Sequence, residues 1–139
     1  MKKSFPDVTD PAKVGTYPAQ SHAGGGSVWD AVLEYRVWVH EDGESDSYSA
    51  FATYEEALAW SKRTTGAEEP LALIRQDEYL DEPEPGVFVH VKEVRVTEWP
   101  VEFLSRPRRT ARTIPEFLSP KAPANRLDIL RGLARPKGR

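Results

Sequence analysis

The sequence contains no cysteine, a single methionine, only three histidines and no long apolar run. Without cysteine there are no disulfides, no thiolate nucleophiles and no zinc site built on thiolates, a composition that fits a reducing cytosol. His22, His40 and His90 are scattered, and no H-x-x-x-H or H-E-x-x-H spacing occurs, so no metal site is expected. A G-x-S-x-G elbow or nucleophile–base pattern is also missing. No segment approaches the roughly 18 apolar residues of a membrane span. The opening Met1–Asp7 carries two lysines with no apolar run behind them, unlike a signal peptide. The expectation is a cytoplasmic chain, not membrane-bound, with no catalytic, cofactor-binding or metal residues.

What is present is a division of charge. The 139 residues fit one domain. The formal net charge of −3 hides two opposite pieces. From Arg106 to Arg139 there are ten Lys/Arg against Glu116 and Asp128, a net +8, whereas residues 1–105 hold nine cations against twenty carboxylates, a net −11. Such asymmetry marks a basic interaction tail on an acidic body.

Hydrophobic pattern and turn residues divide the chain further. Residues 1–27, with Pro6, Pro11, Pro18 and the run Gly24-Gly25-Gly26, carry no periodicity and read as an extended N-terminal arm. Residues 28–104 read as an acidic α+β domain, a small antiparallel β-β-α-β-β sheet with one packed helix. Leu33, Tyr35, Val37 and Val39 alternate with polar neighbours, as a half-buried strand requires. An acidic loop, Glu41–Asp46, is expected between this strand and a second at Ser47–Ala52. Thr53-Tyr54-Glu55-Glu56 is a capping box, in which Thr53 accepts from the amide of Glu56 and Glu56 reaches back to the amide of Thr53. The helix it opens stops near Gly66. Leu71–Gln76 reads as a third strand. Pro83 and Pro85 predict irregular structure over Asp77–Gly86. Val87, Val89 and Val91 alternate, but the phase slips before Val94 and Val96, which predicts a bulge or bend near Lys92-Glu93 in one fourth strand.

Residues 105–139 form a Pro/Arg-rich tail with short helices. Thr113 and Asn125 are placed as caps, the second for a helix over Arg126–Leu133. Helices this short are not stable alone in water, so the apolar residues behind the caps predict docking. Arg106, Arg108, Arg109 and Arg112 are the expected electrostatic contacts to a partner, and Phe117, Leu118, Leu127 and Leu130 the apolar anchors. A body of this size is marginally stable alone, which also favours docking of both arms.

Two further features carry candidate chemistry. The acidic stretch Asp77–Glu84 lacks the D-x-[DN]-x-[DN]-G spacing of a calcium loop and reads as solvated or as a landing site for the tail. Gln20-Ser21-His22-Ala23-Gly24-Gly25 comes within one residue of the Q/R-x-x-G-x-G/A loop with which GCN5-family acetyltransferases hold coenzyme A. There, backbone amides point at phosphate. Here Ala23 stands at the first glycine and a strand follows instead of a helix.

Several segments together resemble a family of small, uncharacterised bacterial proteins, some labelled GCN5-family acetyltransferases. They are Tyr17–Gly26, Val32–Trp38, Phe51–Ala57, Thr97–Leu104 and Asn125–Leu130. The label implies an acyl-coenzyme A-dependent transferase using the Gln20–Gly26 loop. The residues themselves favour a non-enzymatic binding or regulatory module whose arms either wrap this domain, exchange between copies in a homo-oligomer, or dock on a protein partner. Nucleic-acid or ribosome contact through the arginines is the other reading, although base-stacking aromatics are sparse in the tail.

Overall fold

The computed structural model describes residues 5–40 and 45–135. Its strands are β1 (His22–Ala23), β2 (Ala31–Val39), β3 (Ser47–Phe51), β4 (Leu71–Gln76), β5 (Tyr79–Glu84), β6 (Val87–Val91) and β7 (Arg95–Pro100). The α-helices are α1 (Tyr54–Lys62), α2 (Thr113–Leu118) and α3 (Arg126–Leu130). Strands β1, β7, β4, β2 and β3 make one sheet in that order, and β5 and β6 make a second. The class is α+β. The expected four-stranded antiparallel sheet is corrected to seven strands in two sheets, with β1 running parallel to β7.

Strand β2 positions both faces of the large sheet. A register shift against β4 leaves Leu33 as an extra residue between Val32 and Glu34, so Val32 joins the face of Tyr35 and Val37. These three pack with Ala72, Ile74 and Trp99 and with Ala57 of α1 in one buried cluster. The N-terminal segment adds Phe5 and Val8 to this cluster, Phe5 lying edge-on to Tyr54 at 4.7 Å. Lack of periodicity hid this role, because single side chains on an irregular segment carry no repeat. Helix α1 opens on the expected box. Thr53 Oγ1 accepts from the Glu56 amide (3.2 Å) and donates to Glu56 Oε1 (3.0 Å), so the reciprocal bond goes to the hydroxyl.

The other face of β2 carries charge. Glu34 and Arg36 are fully buried. Arg36 donates from Nε to Glu34 Oε2 (2.6 Å) and from Nη1 to Glu98 Oε2 (3.3 Å), and Glu98 Oε2 also accepts from Trp38 Nε1 (2.9 Å). The remaining guanidinium donors meet main-chain carbonyls, Ala19 at 3.1 Å and Pro18 at 2.6 Å, while the Gly15 amide donates to Glu34 Oε1 (2.9 Å). The segment around Gly15–Gln20 is thus laid over a charged sheet face and held there by its backbone.

Two expectations about the middle of the chain are corrected. The stretch expected to be irregular because of Pro83 and Pro85 contains β5, which pairs with β6 across Pro85-Gly86. Pro83 is tolerated because the register shifts between Asp81 and Glu84, where no ladder bond is required of its nitrogen. Gly86 has φ +82, and Pro followed by a positive-φ glycine is the type II turn pattern. The phase slip at Lys92-Glu93 is the exit of the chain from the small sheet to β7 of the large one, not a bulge within one strand. Of the acidic loop expected at Glu41–Asp46, residues 41–44 lie outside the described residues.

The glycine run binds these parts together. Gly24, Gly25, Gly26 and Ser27 all have positive φ, from 66° to 84°. Their carbonyls turn to the protein. Gly24 O accepts from Thr97 Oγ1 (2.8 Å), Gly25 O from Trp99 Nε1 and Gln76 Nε2 (both 3.1 Å), Gly26 O from the Leu80 amide (3.0 Å), and Ser27 O from Arg106 Nη1 (3.1 Å). A Cβ on Gly26 would lie 2.2 Å from Gln76 Nε2. Gly26→Ala therefore combines backbone strain with overpacking and is expected to lower stability by about 2–4 kcal/mol. Ser27→Gly relieves the same backbone strain and should raise it by up to ~1 kcal/mol. Denaturant melts of the two variants check the pair of opposite signs.

At the far end of β2, both ring nitrogens of His40 face carboxylates, Nδ1 to Asp46 Oδ1 at 2.5 Å and Nε2 to Glu68 Oε2 at 2.7 Å. Only the imidazolium can donate both bonds. The bonds to Asp46 and then Glu68 raise the His40 pKa above its ordinary 6.5. A raised folded-state pKa contributes stability that is complete below the unfolded value and is lost as pH rises through the folded one. Relative to His40→Gln, the wild-type chain is expected to lose stability as pH climbs above about 6.5. Melts across that range, with the His40 ring titration followed by NMR, test the direction.

Candidate functional site

The C-terminal segment returns to the body along Ser27–Asp30. Trp29 Nε1 donates to the Arg106 carbonyl (3.0 Å), and the Arg109 amide donates to the Trp29 carbonyl (3.0 Å). Arg108 Nε donates to the Asp30 carbonyl (2.6 Å) and Arg109 Nε to Asp30 Oδ1 (2.8 Å). Asp30 is 5% exposed, and its other oxygen accepts the Asp77 amide at 2.7 Å. Arg109 also approaches Glu78 Oε1 at 3.5 Å, an oxygen shared with His90 Nε2 at 3.0 Å. The Arg106 guanidinium lies 4.4 Å from the Phe103 ring centre and 5.2 Å from that of Trp99. Burial, with Arg131 nearby, lowers its pKa from the ordinary arginine value. Three of the four guanidiniums expected to face a partner are therefore engaged within the chain.

The apolar residues singled out in the tail are also seated on the body. Ile114, Phe117 and Leu130 form a second buried cluster with Val28 and Leu80, and Leu118, Leu127, Tyr79 and Phe88 pack around it. Phe88 of β6 meets Phe117 edge-on at 4.9 Å. The two expected caps differ from the sequence reading. Thr113 lies inside α2, and its hydroxyl accepts from the Thr110 amide (2.9 Å), while Asn125 makes no side-chain cap bond. Helix α3 ends at Leu130 instead of Leu133, because the chain turns at Gly132, φ +75, against Ser105 and Pro107.

Docking leaves a concavity of about 750 Å³ on the outer side of this segment. Its apolar lining comes from Phe117, Ile129 and Leu130, with Pro107, Pro123 and Ala134. Around it stand Arg112, Lys121, Arg126 and Arg135, with Glu116 as the one acidic lining residue. Arg112 is 72% exposed in its side chain and lies 3.2 Å from Glu116, a helical i, i+4 pair. Arg126 is held in place, donating from Nη1 to the Phe117 carbonyl (2.8 Å) and lying 4.3 Å over the Phe117 ring. Of the residues chosen from sequence, Arg112, Phe117 and Leu130 meet here. Lys121, Arg126, Ile129 and Arg135 were missed, since residues from the helices, from the α2–α3 connection and from the coil after α3 converge only once Gly132 has turned the chain.

No protein-family model matches the chain, and no curated protein or solved structure matches it. Function is therefore read from its own residues. Among the described residues, no helix is long and apolar enough to cross a membrane, and no cluster of three or more His, Asp or Glu is placed to hold a metal ion. The glycine run offers its carbonyls to Thr97, Gln76, Trp99 and Arg106, and the Gly24 amide donates to the Glu98 carbonyl (2.8 Å).

Asp30 is the anion on which the returning segment closes. Asp30→Ala strands Arg109 and the Asp77 amide, and is expected to cost about 3 kcal/mol. Amide exchange should rise more at Ile114, Phe117 and Leu130 than at Tyr35 or Ile74, which distinguishes release of the tail from global loosening. Urea melts and exchange by NMR measure both.

Proposed function

We propose that this chain is a non-enzymatic binding module that receives an acidic polypeptide segment of a partner protein in the concavity between α2 and α3. The observation that carries this is the pairing of an accessible apolar lining, Ile129 with Pro107, Pro123 and Ala134 over the buried Phe117 and Leu130, with a surround of four cations and one carboxylate. A cavity of this size falls in the range of ligand sites. The basic groups steer an acidic segment, and burial of one or two of its apolar side chains supplies the affinity. The expected docking arms are, in this reading, the frame of the site, because Arg106, Arg108 and Arg109 hold the frame to the body.

Two alternatives make different demands. Nucleic acid prefers open aromatic faces and an accessible basic track, whereas the Phe117 face is occupied by Arg126. An acyl-coenzyme A-dependent transferase would use amides of the Gln20–Gly26 loop, and the Gly24 amide is already donated to the Glu98 carbonyl.

A labelled Glu/Leu peptide, its Lys/Leu counterpart and a single-stranded oligonucleotide separate these readings. The Glu/Leu peptide is expected to bind with an affinity that falls with salt, and to lose about tenfold, ~1.4 kcal/mol, in Lys121→Glu/Arg135→Glu. Failure of that peptide to bind removes the proposal. Oligonucleotide binding with a log–log salt slope near −0.9 per phosphate contact supports the nucleic-acid reading instead. A stability gain of ~2.7 kcal/mol with acetyl-coenzyme A at 100 times its dissociation constant supports the transferase.

A further inference from the structure

The longest run of exposed residues among the described ones is Asp81–Val87, the tip of the β5–β6 hairpin. It carries Asp81, Glu82 and Glu84 and no cation. Glu82 accepts from the Gly86 amide (2.7 Å), while the side chains of Asp81 and Glu84 meet no cation among the described residues. The carboxylates nearer the sheets differ, since Asp30, Glu34, Asp77, Glu78 and Glu98 each face an arginine. Lys121 and Arg135 are the converse case. Both are exposed in the lining of the α2–α3 concavity, and neither has a carboxylate beside it among the described residues.

One chain thus carries an acidic tip and a basic concavity, both open, and they do not meet within the molecule. Leu80 and Phe88 at the base of the hairpin are packed with Ile114, Phe117 and Leu130, and none of Asp81–Val87 lines the concavity. With its base seated and its strands paired, the tip stays clear of that lining, so filling the concavity takes another molecule. We propose that the acidic segment received between α2 and α3 is the β5–β6 hairpin tip of a second copy. This rests on the binding role of the concavity and names its occupant. The tip supplies the chemistry that the lining selects. Its carboxylates suit Lys121 and Arg135, and Pro83, Pro85 and the 47% exposed Val87 suit the apolar lining. Two prolines and a paired hairpin fix its shape before it binds, which lowers the ordering cost of association.

Charge also fixes the sense of the contact. Tip against tip, or concavity against concavity, would set like charges together, which disfavours both. Each copy has one tip and one concavity. A reciprocal pair therefore closes two contacts about a twofold axis, whereas any other placement extends into a chain of copies. The contact is small and its charges are exposed, so the association is weak and falls with salt.

Sedimentation velocity of the full chain at low salt, from micromolar to millimolar, is the test. Concentration-dependent association is expected. Asp81→Lys/Glu84→Lys and Lys121→Glu/Arg135→Glu, each folded by circular dichroism, should weaken it about tenfold or more. Glu82 is left in place because it holds the Gly86 amide. An equimolar mixture of the two variants should associate again, because each then presents the complement of the other. Glu55→Lys/Glu102→Lys makes the same change of net charge at exposed positions outside the hairpin and should leave association unchanged. The Glu/Leu peptide should compete with association, since both take one seat. A monomer at every concentration overturns the proposal, as does association indifferent to either reversal or a mixture that stays apart. If the Glu/Leu peptide binds that monomer, the concavity remains a binding site and only its occupant is another protein.

Discussion

The run of main chain from Gly24 to Asp30 is the constraint on which the other elements depend. Its carbonyls accept from the large sheet through Thr97, Gln76 and Trp99, from the small sheet through the Leu80 amide, and from the returning tail through Arg106, Arg108 and the Arg109 amide. Four successive residues in the left-handed region turn these carbonyls in several directions within a short length. An ordinary L-residue disfavours that conformation, which explains why three of the four are glycine. The acceptors are buried or half-buried, so each bond lost leaves a group without water to replace its partner. The two sheets and the tail are therefore tied through one segment and are expected to unfold together.

Charge serves the same end inside the protein. Arg36 with Glu34 and Glu98, and Arg109 with Asp30, are ion pairs largely removed from water. Burying ions costs much of what their attraction returns, so such pairs are weak sources of net stability. Their geometry is nonetheless demanding. Arg36 takes the carbonyls of Pro18 and Ala19, and Arg109 takes one carboxylate oxygen whose neighbour holds the Asp77 amide. A shifted N-terminal segment would leave guanidinium donors of Arg36 without acceptors, and a shifted C-terminal segment would leave Asp30 without its arginine. Among the described residues no buried side-chain nitrogen or oxygen lacks a partner, which is the condition under which a polar interior specifies one arrangement.

Where each side chain repeats with the period of its element, the sequence was legible. Tyr35, Val37 and Val39 share the expected face of β2, although the strand is buried on both faces instead of half-buried, and the Thr53–Glu56 cap of α1 keeps the bond to Thr53 while its reciprocal bond goes to the hydroxyl. The apolar residues of the tail were legible as a group that had to be buried, though their seat on Val28 and Leu80 was not. What escaped depends on contacts distant along the chain. A two-residue strand such as β1 has no periodicity. Pro83 forbids a central strand but not an edge strand with a register shift, and only the fold decides which is present. Tail arginines advertise affinity for oxygen acceptors without saying whose. For Arg106, Arg108 and Arg109 those acceptors are Ser27 and Asp30 of the same chain, roughly 80 residues earlier.

The division of charge along the sequence thus acts in two layers. At the seam, a buried aspartate and inward carbonyls absorb the first arginines of the basic segment. The cations further along, Arg112, Lys121, Arg126 and Arg135, come together around the concavity lined by α2 and α3, with Arg126 packed over Phe117 and Phe88. Had the segment been only an electrostatic tether, Phe117, Ile129 and Leu130 would have no reason to lie beneath them. The chain turns at Gly132, packed against Ser105 and Pro107, and brings Arg135 back beside the floor. That return completes a concave surface over two short helices, on which the proposed binding role rests.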